Sequence, residues 1–174
     1  MRKLLDGVYT GSGLLSAGLI AAICLLVTAQ VVLNLVTKYG PFDVNLTIPS
    51  YADFAGYMLA ASSFLALAYT LTRGGHIRVT MVLNAMPARL RLVSESLCLA
   101  LGAAIAGFAS YYMYLLTQES YEFGDMSSGI IAIPLYIPQS AVLAGLVILT
   151  IALVDLTLQT VRAGRPVLVQ MNTE

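Results

Sequence analysis

Apolar residues are concentrated in four long stretches of the chain. The stretches cover residues 13–36, 51–71, 96–116 and 135–158, and they contain no Lys or Arg. A helix of roughly 20 apolar residues crosses the hydrocarbon core of a bilayer, which is about 30 Å thick. Each stretch is long enough to do so. The pattern therefore predicts one all-α integral membrane domain over residues 1–174, with four transmembrane helices.

The basic residues lie almost entirely on one side of these predicted helices. Eight of the nine Lys and Arg residues precede the first stretch, separate the second from the third, or follow the fourth. On the other side, Lys38 is the single basic residue. Membrane proteins concentrate Lys and Arg in their cytoplasmic segments. Both termini and the connection between the second and third helices are therefore predicted to be cytoplasmic.

An additional, amphipathic helix is predicted at residues 77–93, within that basic connection. Apolar side chains recur there every three or four residues, at Val79, Val82, Met86, Leu90 and Val93. Arginines lie between them. This pattern is typical of a helix that lies in the headgroup layer. The alternative is a basic loop with apolar residues at chance positions.

Composition excludes several classes of function. The chain is 59% hydrophobic and 10% charged, whereas soluble domains carry about 25% charged residues. Its net charge of zero leaves no basic excess for nucleic acid. One histidine and two separate cysteines, Cys24 and Cys98, are too few for a zinc site or a bis-histidine haem. No metal or other cofactor is therefore expected.

Polar residues are sparse inside the predicted helices. The acids there are Asp53, at the start of the second stretch, and Asp155, close to the cytoplasmic end of the fourth. The central third of each stretch lacks the ionisable residues that a channel or pump would need. Gln30 and Asn34 are four residues apart on one helix face. They could coordinate a substrate, but an interhelical hydrogen bond is the favoured interpretation.

Small residues spaced four apart recur on all four predicted helices. In lipid, such pairs allow helix backbones to approach closely and replace the missing hydrophobic driving force. Extensive helix packing is therefore expected, in part with another protein. The candidates for packing against a partner are Gln30, Asn34, Gly56, Gly107 and Gly145.

The connection at residues 119–138 is acidic and rich in turn-forming residues. Its aromatic and apolar residues favour a segment that packs, with a solvated connector as the alternative. Pro134 is predicted to mark the start of the fourth helix, and Asp53 suits the first turn of the second. The candidate residues on this outer side are Asp53, Glu119, Glu122, Asp125 and Pro134.

Four motifs along the chain carry a family resemblance. They are R-G-G-H-I-R-V at 73–79, P-A-R-L-R at 87–91, E-S-Y-E-F-G at 119–124 and I-P-L-Y-I-P at 133–138. In this order they resemble the small membrane subunit (DctQ-like, or Q) of tripartite ATP-independent periplasmic (TRAP) transporters, over about residues 13–160. The family often has Asp where this chain has Thr80, so no ion pair with Arg78 or Arg89 is assigned.

The resemblance implies a subunit of a secondary transporter in the bacterial inner membrane. A large membrane subunit (M) would carry the substrate and ion sites and move in an elevator-like way, while the Q subunit associates with its static scaffold. A periplasmic binding protein would deliver an organic acid, typically a carboxylate, and a sodium or other ion gradient would drive import.

On that interpretation, cationic side chains anchor the cytoplasmic interface against anionic lipid headgroups. The anchors are Arg73, His76, Arg78, Arg89 and Arg91. His76 is interpreted as a structural histidine, with a pH sensor as the alternative.

Two other classes of protein compete with this interpretation. An autonomous small transporter that oligomerises would need a substrate site at membrane depth. A four-helix membrane enzyme would need a nucleophile, a set of cofactor ligands or a clustered basic pocket. The sequence presents none of these apart from the basic connection, so a non-enzymatic transporter subunit is the favoured interpretation.

Overall fold

Four long helices form the protein in a computed structural model, which describes residues 2–39, 46–74 and 87–163. They are α1 (Arg2–Tyr39), α2 (Tyr51–Thr72), α3 (Ala88–Phe123) and α4 (Tyr136–Ala163). All four are long and apolar enough to cross a membrane. The predicted all-helical fold with four membrane-spanning helices is thereby confirmed.

The two longest helices extend well beyond the predicted spans. α1 has 38 residues and α3 has 36, so at about 1.5 Å per residue each exceeds the roughly 30 Å hydrocarbon core by more than 20 Å. α2, with 22 residues, is close to the thickness of the core. The ends of α1 and α3 therefore either project from the bilayer or require the helices to tilt.

The predicted interfacial helix at 77–93 lies only in part within the described residues, because positions 77–86 are outside them. Pro87 has an extended backbone, with φ −63° and ψ 148°, and α3 begins directly after it. Proline fits this position because it lacks the N–H that a preceding helical turn would require. Residues 88–93 thus form the first turns of α3, continuous with the predicted third span, rather than the end of a separate helix.

The helices pack in the order α1–α2–α4–α3. α2 and α4 contact each other at the centre, α1 packs along α2, and α3 packs along α4, while α1 and α4 touch at few points. α1 and α3 therefore form the two edges. In the most apolar 18-residue window of α1, 6% of the residues are buried within the chain, compared with 28% in the corresponding windows of α2 and α4.

A core near the end with the basic residues joins all four helices. It contains one residue from each edge helix and two from each central helix: Tyr9, Ala68, Leu71, Leu99, Ala152 and Leu156. Ala68 and Ala152 are fully buried, and their small side chains allow α2 and α4 to approach closely.

Candidate partner-binding surfaces

Gln30 and Asn34, the polar pair predicted at membrane depth, hydrogen-bond within the chain. The Gln30 Nε2 donates to Asn34 Oδ1 at 2.8 Å. The backbone N–H of Ile48, in the segment that leads into α2, donates to Gln30 Oε1 at 2.8 Å. Gln30 is only 2% exposed. Its amide therefore holds the entrance of α2 against α1 and is directed away from the lipid-facing surface.

The small residues divide into two groups by what surrounds them. A Cβ added at Gly145 would lie 2.6 Å from the carbonyl carbon of Phe64, so this glycine is where α4 meets the backbone of α2. At Gly107 a Cβ would meet Thr150 at an ordinary 3.7 Å, and at Gly56 it would meet nothing within 4 Å. Gly145 and Gly107 thus serve packing within the chain, and Gly56 lies on an open surface.

The segment after α3 folds into a compact turn, residues 125–135, which we call the outer hairpin after its predicted position outside the cytoplasm. The N–H of Leu135 donates to the carbonyl of Asp125 at 2.9 Å, and the N–H of Ser127 donates to that of Ile133 at 2.8 Å. Met126 and Pro134 form an antiparallel bridge. The acidic connection is therefore an ordered segment held by backbone hydrogen bonds. The apolar side chains that favoured packing are largely exposed, with Tyr121, Phe123 and Ile130 at 69%, 77% and 86%.

Two serine hydroxyls hold the outer hairpin together and attach it to α2. The Ser127 Oγ accepts the N–H of Ile133 at 3.0 Å, and Ser127 is buried. The Ser50 Oγ accepts the N–H of Ile131 at 3.0 Å. Ser50 has a left-handed backbone, φ 57°, and makes no side-chain cap to α2. Serine is uncommon in this conformation. Its side chain does not cap α2 and instead attaches the hairpin.

We expect Ser127→Ala to loosen the outer hairpin. The substitution leaves the part-buried N–H of Ile133 without its acceptor, and an unpaired donor costs about 1–3 kcal/mol where water cannot reach it. Limited proteolysis or amide hydrogen exchange should show faster cleavage or exchange across residues 125–135. Ser128→Ala is the matched control, because Ser128 is the exposed neighbour. Equal protection in both variants would contradict the assigned role of Ser127.

The outer acids surround this hairpin. Gly129 packs against Asp53 and Ser50 at the start of α2, and Asp53 is exposed. Glu119, Glu122 and Asp125 are exposed at the end of α3. Within the described residues, Lys38, placed over the ring of Tyr39, is the only basic side chain at this end. The structure therefore gathers the predicted periplasmic candidates, Pro134 included, on one acidic end of the molecule.

The described basic residues other than Lys38 lie at the opposite end. The guanidinium of Arg73 lies 5.5 Å from the ring centroid of Tyr69, and Arg89 is exposed. The Nε of Arg91 is buried and has no hydrogen-bond partner in the described part of the chain. His76 and Arg78 lie outside the described residues. The anchoring role of all five remains a prediction.

An aromatic surface on α3 was missed by the sequence analysis. Phe108, Tyr111, Tyr112 and Tyr114 are all more than half exposed. The rings of Phe108 and Tyr112 are 4.6 Å apart, and those of Tyr111 and Tyr112 are 5.5 Å apart. The signal was present as Y-Y-M-Y at 111–114. Exposed aromatic residues on an edge helix suit a membrane interface or a protein contact.

Among residues 2–39, 46–74 and 87–163, no group of three or more His, Cys, Asp or Glu side chains could hold a metal ion. The Ser110 and Thr150 hydroxyls pair at 3.3 Å between α3 and α4. What the arrangement offers instead is apolar surface on two edge helices and an acidic hairpin at one end.

The four long apolar helices define a multi-pass membrane protein. The model of one family, "Tripartite ATP-independent periplasmic transporters, DctQ component", matches residues 14–163. The chain belongs to this DctQ family, the small component of TRAP transporters, which is a transporter family and not an enzyme family. No curated protein and no solved structure gave a match.

Proposed function

We propose that this protein is the scaffold subunit of a TRAP-type importer and does not itself carry the solute. The observation that supports this most is the open edge of α1, where only 6% of the apolar window is buried within the chain. Lipid can cover such a surface, but a stable partner helix covers it with closer packing. α3, with its exposed aromatic residues, provides a second edge.

The partners follow from the family. A large membrane subunit would pack against the edge helices, and a periplasmic binding protein would approach the acidic outer end. The cargo would be an organic acid such as a carboxylate, and a sodium or other ion gradient would supply the free energy. The basic end, with both termini, would face the cytoplasm of a bacterial inner membrane.

Co-expression with the large membrane subunit tests the scaffold role. A tagged copy of this chain should recover the large subunit in mild detergent. Photo-reactive residues at Leu25 on α1 or Ile105 on α3, which are 73% and 69% exposed, should crosslink to it from at least one edge. The fully buried Ala152 is the negative control. Failure of the two subunits to co-purify would reject the proposal.

Charge reversal at the outer end tests the approach of the binding protein. Glu119→Lys combined with Glu122→Lys should slow binding-protein-dependent uptake by about tenfold at low salt, since steering by surface charge acts on association. The difference should shrink as ionic strength rises. Uptake is measured in vesicles that hold both membrane subunits, with the binding protein added outside.

The matched control is Asp6→Lys, compared with Glu119→Lys alone so that each variant reverses one charge. Asp6 is exposed at the opposite end of the molecule. The Asp6→Lys variant should leave uptake unchanged at every salt concentration. If the control slows uptake as much as the outer variant does, the change in net charge causes the slower uptake and the outer acids have no specific role.

A further inference from the structure

The two ends of the bundle fix the membrane depth of the aromatic surface on α3. Leu99 of α3 belongs to the buried cluster that contains Leu71, the penultimate residue of α2. At the other end of α3, the ring of Tyr121 lies 5.3 Å from the ring of Tyr136, the first residue of α4. Residues 99–121 therefore run beside the apolar spans of α2 and α4. This part of α3 is about 33 Å long, close to the thickness of the hydrocarbon core.

Tyr111 and Tyr112 lie near the middle of this part of α3. Ser110, at its midpoint, pairs with Thr150 of α4 at 3.3 Å, and the two tyrosines follow within about 3 Å along the helix axis. The headgroup layers begin roughly 15 Å from the bilayer centre. A side chain leans toward the N-terminus of its helix, which for α3 is away from the nearer headgroup layer. Neither hydroxyl is therefore placed at the membrane surface.

The hydroxyls of Tyr111 and Tyr112 make no hydrogen bond within the described part of the chain. Both residues face outward, with 59% and 55% of their surface exposed. The neighbouring Ser110 donates to the carbonyl of Ala106 in its own helix at 2.8 Å, but the ring of a tyrosine holds its hydroxyl too far from the backbone for such a bond. Lipid tails contain no acceptor, so a tyrosine hydroxyl that faces them is left unsatisfied at a cost.

We propose that a helix of the large transport subunit packs on the aromatic surface of α3 and supplies acceptors for the hydroxyls of Tyr111 and Tyr112. The inference rests on the proposed function, because it takes the large subunit to be bound. Depth favours this occupant, since secondary transporters concentrate polar groups and unwound backbone carbonyls near the midplane of the bilayer. A binding protein outside the membrane cannot reach this level.

The exposed residues that precede the tyrosines suit a packed helix. Ala100, Ala104 and Phe108 are exposed at four-residue spacing, so they form one stripe on α3 that leads to Tyr111 and Tyr112. Small side chains allow the backbone of a second helix to approach, and the rings of the next turn then lie beside that helix. The contact would extend over about three turns of α3.

Removing the two hydroxyls while keeping the rings tests this contact. Tyr111→Phe combined with Tyr112→Phe should lower recovery of the large subunit by about tenfold in a stringent detergent wash, because acceptors in the interface are left unpaired. The amount and thermal midpoint of the isolated chain should not fall. If recovery stays at the wild-type level, lipid covers the hydroxyls and the inference is wrong, while the scaffold role stands.

A second pair of tyrosine rings in the same protein supplies the matched control. The rings of Tyr121 and Tyr136 are 5.3 Å apart and inclined at 85°, and those of Tyr111 and Tyr112 are 5.5 Å apart and inclined at 84°. The control pair lies at the outer end of the bundle, where water and headgroups can bind the hydroxyls. Tyr121→Phe combined with Tyr136→Phe should leave recovery unchanged. An equal loss in both double variants would contradict a specific role for the hydroxyls at mid-depth.

Crosslinking identifies the occupant. A photo-reactive residue at Phe108, in vesicles that hold both membrane subunits, should crosslink to the large subunit. Crosslinks confined to phospholipid or to a second copy of this chain would overturn the inference. A wild-type chain that recovers no large subunit would overturn both this inference and the scaffold role.

Discussion

Vesicles that contain this chain alone are expected to take up no organic acid, whereas vesicles with both membrane subunits and the binding protein should accumulate it. The physical reason is that polar side chains of the helices are engaged within the chain. Gln30 binds Asn34 and the backbone of Ile48, and Ser62 donates to the carbonyl of Leu59. Such groups hold helices and connections in place, so a solute would find few ligands.

The measurement is uptake of radiolabelled dicarboxylate into vesicles with an imposed sodium gradient. Vesicles with the large subunit alone are the informative control, because they separate a requirement for this scaffold from a requirement for the transport sites. Ion-driven uptake by the small chain alone, at the rate of the complete system, would reject the scaffold role. It would favour the autonomous transporter considered from the sequence.

Replacing Gly145 with alanine should destabilise the protein strongly for a single methyl group. The added Cβ would lie 2.6 Å from the carbonyl carbon of Phe64 and 2.8 Å from its oxygen, and a helix backbone cannot rotate away as a side chain can. Overpacking of this kind typically costs about 1–3 kcal/mol. Thermal denaturation in detergent, followed by size-exclusion chromatography, should show a lower midpoint.

Gly18→Ala provides the comparison for this substitution. Gly18 is also a helical glycine, but an added Cβ would have nothing within 4 Å. Alanine stabilises an unobstructed helix by up to about 1 kcal/mol relative to glycine, so this variant should melt at the wild-type midpoint or above. Equal midpoints for the two variants would show that α2 and α4 are not in close contact at Gly145.

The helices were predictable from the sequence because the bilayer imposes its thickness on the apolar stretches. The ends of the helices were not. Past the hydrocarbon, the chain can continue as helix or turn into a loop with little change in hydropathy. α3 therefore begins at Ala88, and α1 continues to Tyr39, without a break at the edge of the apolar stretch.

The candidate site was only partly accessible from sequence. Spacing placed Gln30 and Asn34 on one face, but it could not show that the free lone pair of Gln30 accepts from Ile48, which is 18 residues away. The spacing of small residues predicted the same role for Gly145 and Gly56. A Cβ added at Gly145 would meet the backbone of Phe64, whereas one added at Gly56 would meet nothing within 4 Å. Distinguishing them requires the order in which the helices pack, which periodicity within one helix does not contain.

The left-handed backbone of Ser50 was also not predictable from the sequence. Serine is not the residue that this conformation favours, so no turn motif points to it. The Ser50 hydroxyl accepts a hydrogen bond from Ile131, which lies 81 residues away along the chain. This long-range hydrogen bond attaches the outer hairpin to α2, and it becomes visible only when α2 and the segment after α3 are placed side by side.

The length of α2 has a consequence for how the subunit sits in its membrane. At 22 residues it spans about 33 Å, with Asp53 near one end and Arg73 just past the other. A central helix that matches the hydrocarbon core so closely allows little movement along the membrane normal, because such movement would place one of these charges in the hydrocarbon. We therefore expect the subunit to keep a fixed depth, and to hold any helix attached to its sides at the same level when the surrounding bilayer thins or thickens.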